Sequence, residues 1–133
     1  MEEILRFLEK NYSGALATID NGKPKVRPFG LIMEEKGKFY FCTANTKEVY
    51  KQLIKTPFIE FTATSQDMAT IRLSGEIAFT TDISIKKRVL EKFESVRALY
   101  KSADNPVFEV FYIEHGEAVM SDFSGRPPRK VCF

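Results

Sequence analysis

An Asn-Gly pair at residues 21–22 lies between two runs of strand-forming residues, and it constrains the fold more than any other feature of the sequence. Asn-Gly supplies the two positive-φ residues of the tight turn that joins neighbouring antiparallel strands. The chain is therefore expected to form a β-hairpin early, with strands over 15–20 and 24–33. A third strand after the polar turn at 34–38 would extend this hairpin into a three-stranded meander.

Further strand-like runs follow, separated by turn residues and by segments with helical spacing. Beyond the first two, strands are predicted over 39–43, 58–64, 69–80, 107–114 and 117–123, the last two as a hairpin around His115-Gly116. Apolar residues at helical spacing predict a short helix over 2–11, a second over 46–55 with Asn45 as N-cap, and a third that begins after Asp82. The tail over 124–133 is expected to be irregular.

The predicted elements amount to six or seven strands, and they do not alternate strictly with helices as a parallel sheet would require. The fold class expected is mainly β: a small antiparallel β-barrel with α-helices packed outside. Gly75, in the middle of the long run 69–80, indicates a bulge or sharp bend of the kind found at barrel corners. With 133 residues the chain has room for one domain, which would span residues 1–133.

Charge and composition exclude several classes of function. Twenty Lys and Arg against 18 Asp and Glu leave a net charge of +2, which gives no general reason to expect nucleic acid or a membrane as partner. Two cysteines, Cys42 and Cys132, and one histidine, His115, are too few and too scattered for a metal site. The absence of an apolar leader and of a run of ~18 apolar residues, with unpaired thiols, predicts a cytoplasmic protein.

The segment from Arg27 to Lys47 is the most informative about function. If the second and third strands pair, Arg27 approaches Thr43 and Lys47 at the start of the next helix. A helix N-terminus with free N–H groups, hydroxyls, a Lys and a facing Arg is suited to bind a phosphate. The alternative is that Arg27 and Lys47 are solvated surface cations and that Asn45 only caps the helix.

Several stretches, in this order and spacing, resemble the pyridoxamine 5'-phosphate oxidase-like family of FMN-binding split barrels. They are residues 22–30 (GKPKVRPFG), 39–47 (FYFCTANTK) and 71–75 (IRLSG), and the tail 123–129 (FSGRPPR) resembles the oxidase's C-terminal element. The resemblance implies a six- to seven-stranded antiparallel split barrel. It also implies a homodimer that holds FMN at the subunit interface.

The same resemblance implies which residues bind the cofactor. Arg27, Thr43 and Lys47 match the family's phosphate ligands, and Asn45 and Thr46 stand beside them. The full set of implied cofactor-binding residues is Val26, Arg27, Pro28, Phe29, Thr43, Asn45, Thr46, Lys47, Thr70 and Phe123.

Five of these residues would lie near a flavin ring, that of the same chain or that of the partner subunit. Val26, Pro28 and Phe29 would run their backbone beside the isoalloxazine ring. Thr70 stands where the oxidase has a Gln directed at the ring. Phe123 stands where the oxidase has a flavin-contacting Trp, and it would reach the partner subunit's cofactor.

Differences from the oxidase in the tail bear on the substrate. Arg129 matches a substrate-binding Arg of the oxidase, but Val131 and Phe133 replace its His and its last Arg. Oxidation of vitamin B6 is therefore not expected, and the chain looks more like the smaller members of the family, which include flavin reductases, nitroimidazole-reductase-like proteins and FMN carriers. The basic segment 126–130 is either a solvated tail or a substrate-facing lip.

The expected function is that of an FMN-dependent oxidoreductase with a nicotinamide or another small molecule as substrate. Because a bound flavin carries the electrons or hydride, such a protein needs binding and tuning groups and no strong base or nucleophile of its own. The alternative is a non-catalytic split barrel that binds or carries FMN or another anionic ligand.

Overall fold

The computed structural model describes all of residues 1–133 and contains four helices and eight strands. In chain order they are α1 (Glu2–Lys10), β1 (Ser13–Asp20), β2 (Lys23–Gly30), β3 (Met33–Glu35), β4 (Lys38–Ala44), α2 (Glu48–Lys55), β5 (Phe58–Thr64), β6 (Thr70–Thr80), α3 (Ile83–Lys92), α4 (Glu94–Tyr100), β7 (Phe108–Ser121) and β8 (Arg129–Cys132). None of the helices is both long enough and apolar enough to cross a membrane.

All eight strands belong to one antiparallel sheet, ordered β2-β1-β5-β6-β7-β4-β3, with β8 added beside β7. The sheet curls so that β2 and β4, near its two ends, bring the rings of Phe29 and Phe41 within 6.2 Å of each other. The long strand β7 pairs with β4 through its first part and with β8 through its last. The register between β6 and β7 shifts at Gly75 and Ile77, which is the bulge expected near Gly75. The two ends of the sheet, β2 and β3, do not pair. The predicted mainly β split barrel is confirmed, with one strand more than expected.

Aromatic packing fills the inside of the curled sheet. Phe41 stacks on Phe111 with ring centroids 5.4 Å apart, and its other side meets the edge of Phe61 at 5.4 Å. These rings belong to a cluster of 19 buried residues, and a second cluster of nine lies on the opposite face of β4, against α3 and α4. Successive side chains of a strand point to opposite faces, so β4 supplies Phe41 to the first cluster and Tyr40 to the second.

The segment predicted as one strand over 24–33 forms two strands that lie at opposite ends of the sheet. β2 pairs with β1 alone, whereas β3 pairs with β4. Between them the N–H of Leu31 donates to the carbonyl of Tyr12 (2.8 Å) and that of Ile32 to the carbonyl of Tyr40 (2.9 Å). At these two hydrogen bonds the chain crosses from the β2 edge of the sheet to the β3 edge. The predicted three-stranded meander is therefore wrong.

The predicted hairpin at His115-Gly116 is also wrong, because residues 108–121 form one continuous strand. Gly116 lies opposite Gly75 of β6, and a Cβ atom on Gly116 would come within 2.2 Å of the Ser74 carbonyl oxygen. Glycine is needed here for the close approach of two strands and not for a turn. The tail, expected to be irregular, forms β8, and Phe133 exchanges two N–H···O bonds of 3.0 Å with Gly116.

Two helix predictions are corrected as well. α2 begins at Glu48 with Lys47 in the N-cap position, and Asn45 does not cap it. The Nδ2 atom of Asn45 donates to the Pro106 carbonyl (2.7 Å) and to the Glu109 carboxylate (2.9 Å). The helix after Asp82 is interrupted at Phe93 and continues as α4, while Asp82 does accept the capping bond from the Ser84 N–H (2.9 Å).

The Asp122 carboxylate organises the turn that precedes β8. It accepts bonds from the hydroxyl and the N–H of Ser124 and from the Arg129 guanidinium, and these hold the pKa of Asp122 well below its usual value. A group whose pKa is lowered by folding stabilises the folded state above its unfolded pKa, here 3.8, and this stabilisation is lost as the pH falls towards the folded value.

Asp122→Asn is therefore expected to lower the free energy of unfolding at pH 7, and the difference from wild type should shrink at pH 3. Urea denaturation followed by circular dichroism at both pH values measures this. Asp20→Asn is the control, since Asp20 forms no ion pair. A difference that is the same at pH 7 and pH 3 would contradict the assignment.

Candidate functional site

Arg27 lies at the centre of the candidate site. It pairs across the sheet with Leu16 of β1, which is fully buried, so the Arg27 side chain lies on the core-facing side of β2. Its guanidinium donates to the Leu16 carbonyl (3.1 Å) and to Oε1 of Gln52 in α2 (2.9 Å). The side chain therefore links the edge strand β2 to the helix that follows β4.

The charge of Arg27 has no partner within the chain. None of the ion pairs involves it. Burial lowers the pKa of the Arg27 guanidinium, because loss of hydration disfavours the charged form. An arginine has five N–H donors, and two are used here, so three remain. A partly buried cation with free donors and no carboxylate partner is a group that a bound anion would stabilise.

Gln52 was missed by the sequence analysis, although it connects the parts of this site. It is 9% exposed, and its Oε1 accepts from both Arg27 and the buried Thr18 hydroxyl. Its neighbours Val49 and Leu53 are buried and mark the inner face of α2. A polar residue between the apolar positions of that face was the available signal.

Thr43 carries the second unsatisfied group of the site. It is 2% exposed, and its hydroxyl oxygen is buried without any hydrogen-bond partner. Such a group costs about 1–3 kcal/mol, and buried polar groups in native proteins nearly always find a partner. Thr43 lies near the end of β4, shortly before α2 begins. The orphaned hydroxyl there fits a site that a ligand oxygen completes.

The remaining residues predicted at the helix start are arranged differently. Thr46 and Lys47 are exposed, and no side chain caps the first N–H groups of α2. The Glu48 carboxylate pairs with Lys51 along the helix (3.2 Å). Asn45 is turned towards Glu109, so the structure does not bring its side chain to Arg27.

The residues expected beside a flavin ring divide between the two faces of β2. Val26 is 70% exposed on the face opposite to Arg27, and Pro28 is exposed on the same outer face. The Phe29 side chain faces inward, with its ring centroid 6.2 Å from that of Phe41. Opposite Val26 and Pro28, β1 presents the small side chains of Ala17 and Ala15.

Thr70 and Phe123 lie at one end of the sheet. Thr70, at the start of β6, is half-buried and pairs with Ser121 at the end of β7. Phe123 follows two residues later and is 85% exposed. The two residues are therefore at the same end of the sheet.

The cations of the basic segment 126–130 are all paired within the chain. Arg126 contacts Asp122 (3.4 Å), and Lys130 contacts Glu117 (2.9 Å). Arg129 bridges Glu3 of α1 (3.0 Å) and Asp122 (3.1 Å), so it ties β8 to the N-terminal helix.

The thiols add no reactive group to the site. Burial raises the pKa of the Cys42 thiol to about 12, which keeps it protonated near neutral pH. Cys132 is a free, exposed thiol in β8. No three or more His, Cys, Asp or Glu side chains come together as a metal site would require.

Comparison with known proteins identifies the family of the chain. The family model described as pyridoxamine 5'-phosphate oxidase matches residues 1–119. The crystal structure of a NimC/NimA family protein from Clostridium acetobutylicum is 34% identical, with a TM-score of 0.90 over 100% of this chain and 92% of that one. No curated protein sequence gives a significant match.

Two more distant structures share the fold and differ in the ligand that they are named for. A pyridoxamine 5'-phosphate oxidase-related, FMN-binding protein from Nostoc punctiforme is 15% identical, with a TM-score of 0.76 over 97% of this chain and 87% of that one. A heme-binding protein from Mycobacterium smegmatis is 16% identical, with a TM-score of 0.81 over 98% of this chain and 57% of that one. The fold alone therefore does not specify a ligand.

Proposed function

The chain belongs to the pyridoxamine 5'-phosphate oxidase family, and on that premise we propose that it is an FMN-binding flavoprotein that acts as a flavin-dependent oxidoreductase on a small molecule. The observation that carries the proposal is the state of Arg27. Its guanidinium is partly buried, has free donors and lacks a carboxylate partner. A phosphate monoester supplies the missing anion, and riboflavin would not bring that group.

The phosphate of FMN would be held between β2 and the start of α2. Arg27 would donate to its oxygens, and the unpartnered hydroxyl of Thr43 would donate another bond. Lys47 would add a second positive charge from the N-cap position. The uncapped N–H groups of the first turn of α2 favour negative charge at the same place.

The flavin ring would lie beside the backbone of residues 26–29, with a second copy of the chain covering it. The exposed side chains of Val26 and Pro28, with small alanines opposite them on β1, support this arrangement. Phe123, 85% exposed, supports it as well, because a large aromatic side chain left open on one chain is suited to contact another. The proposed unit is a homodimer with FMN at its interface.

Bound FMN would supply the electron or hydride transfer. The residues of this chain would anchor the phosphate, orient the ring and exclude water from one of its faces. No His, Asp or Glu side chain makes a hydrogen bond or an ion pair with Arg27 or Thr43. Because no acid or base is bonded to these residues, a second candidate function is that of a non-catalytic FMN carrier.

Anaerobic reduction separates the two candidates. FMN-loaded protein is mixed with NADH or NADPH, and absorbance at the yellow flavin bands is followed. Bleaching by either nicotinamide is the result expected for the oxidoreductase. Bound flavin that neither nicotinamide reduces, but dithionite does, would support the carrier and contradict the proposed use of a nicotinamide.

Lys47→Ala is expected to weaken FMN binding by about 1.5 kcal/mol, the lower end for a charged hydrogen bond, because Lys47 is exposed and partly screened. The loss should shrink as salt is added, since screening acts on exposed charges. Titration of FMN at low and high salt measures both effects. Lys10→Ala, which removes an exposed lysine of α1, is the control. Equal affinities for the two variants would contradict a role of Lys47 in phosphate binding.

A further inference from the structure

The side-chain amide of Gln52 has a fixed orientation. Its Oε1 accepts from Arg27 (2.9 Å) and from the Thr18 hydroxyl (2.5 Å). Arginine can only donate, so the amide atom that faces Arg27 must be the oxygen. Gln52 is 9% exposed and Thr18 1%, so the amide is enclosed within the protein.

Gln52 and the Leu16 carbonyl together fix the plane of the Arg27 guanidinium. One terminal nitrogen donates to Leu16 and the other to Gln52. A planar group held at two of its nitrogens cannot rotate freely. The remaining N–H donors therefore keep one direction before any ligand arrives, which is the condition for binding an anion without an ordering cost.

The acceptor at position 52 is a neutral amide, whereas Arg88 and Arg129 are held by carboxylates. Arg88 is held by the carboxylate of Glu35 (2.7 Å) and Arg129 by that of Asp122 (3.1 Å). A carboxylate at position 52 would pair with Arg27 and cancel its charge. An amide holds the same hydrogen bond and leaves the charge available.

We infer that Gln52 is a positioning residue of the phosphate site, which holds Arg27 in place without neutralising it and so selects a phosphorylated flavin over an unphosphorylated one. This inference rests on the proposed function, because the phosphate is taken to be that of FMN. Gln52 acts through Arg27, so its replacement should affect the phosphate and leave contacts to the ring unchanged.

The test compares FMN with riboflavin, which lacks the phosphate, in fluorescence titrations of the full chain. Gln52→Glu is expected to lower the FMN affinity on the order of 10- to 100-fold, the range for a lost charged hydrogen bond, with riboflavin affinity unchanged. Ile54→Glu adds the same charge to the exposed side of the same helix, where the side chain is 58% exposed, and should leave both affinities unchanged.

A second variant guards against misfolding. Gln52→Met keeps the length of the side chain and removes the acceptor without adding a charge, so it should also lower the FMN affinity and spare that for riboflavin. Thermal melting establishes that each variant is folded.

The outcomes separate the inference from the proposed function. Wild-type FMN affinity in folded Gln52→Glu would overturn the inference alone. A parallel loss of FMN and riboflavin in the Gln52 variants would also overturn it, by showing a general structural role. Wild-type protein that binds neither flavin would overturn the proposed function and this inference with it.

Discussion

Replacing Arg27 with alanine is expected to weaken FMN binding by about 1.5–3 kcal/mol, or roughly 10- to 150-fold in Kd. The reason is that Arg27 is the partly buried cation of the site and has no other anion to stabilise it. Riboflavin, without the phosphate, should bind almost equally to the variant and to wild type. Titration of both flavins against the two proteins, followed by flavin fluorescence, measures the difference.

Two further substitutions separate charge from geometry at this position. Arg27→Lys keeps the positive charge but loses the planar group that grips two oxygens, so an intermediate affinity is expected. Arg97→Ala removes an exposed arginine of α4 that forms no ion pair, and it should bind FMN like wild type. If Arg27→Ala also behaves like wild type, the phosphate does not lie between β2 and α2.

Phe41→Ala is expected to lower the free energy of unfolding by about 3–5 kcal/mol, the range for a buried Phe truncated to Ala. Phe41 is fully buried and packs between the rings of Phe111 and Phe61. Small domains are stable by only about 5–15 kcal/mol, so this loss is a large part of the total. Urea denaturation followed by circular dichroism measures it.

Phe58→Ala is the matched control for this prediction. It makes the same chemical change in β5, at a side chain that is 52% exposed, and should cost clearly less than Phe41→Ala. Similar losses in the two variants would show that the interior of the curled sheet does not carry the stability assigned to it.

Turn residues and the spacing of apolar residues predicted most of the helices and strands. Asn21 and Gly22 adopt φ values of 50° and 78°, as their hairpin turn requires. The partners of each strand were less predictable, because alternation shows which face of a strand is buried and not which strand lies beside it. The crossing at residues 31–32 depends on the carbonyls of Tyr12 and Tyr40, and no local pattern marks such distant contacts.

The roles of Gly116 and Asn45 were predicted wrongly for a related reason. Gly116 resembles a turn residue locally, but its need arises from Gly75 and Ser74 on the neighbouring strand. Asn is a residue type that often caps a helix, but the Asn45 side chain donates instead to the carboxylate of Glu109, 64 residues away. Both are cases in which a tertiary contact overrides a local preference.

The expected approach of Arg27 to Thr43 and Lys47 rested on pairing between the second and third predicted strands. β2 pairs with β1 alone, so that ground was wrong, although Arg27 does contact the helix that follows β4. The contact is made through Gln52 and not directly through Thr43 or Lys47. Its place between apolar positions marked Gln52 as a residue of the inner face of α2, but only the fold shows that this face meets β2.

Titration of FMN into the purified protein tests the central claim most directly. The account predicts saturable, equimolar binding with quenched flavin fluorescence, and weaker binding of riboflavin because Arg27 and Thr43 then lack the phosphate. Protein that takes up no FMN, or that binds FMN and riboflavin equally, would contradict a phosphate site at Arg27.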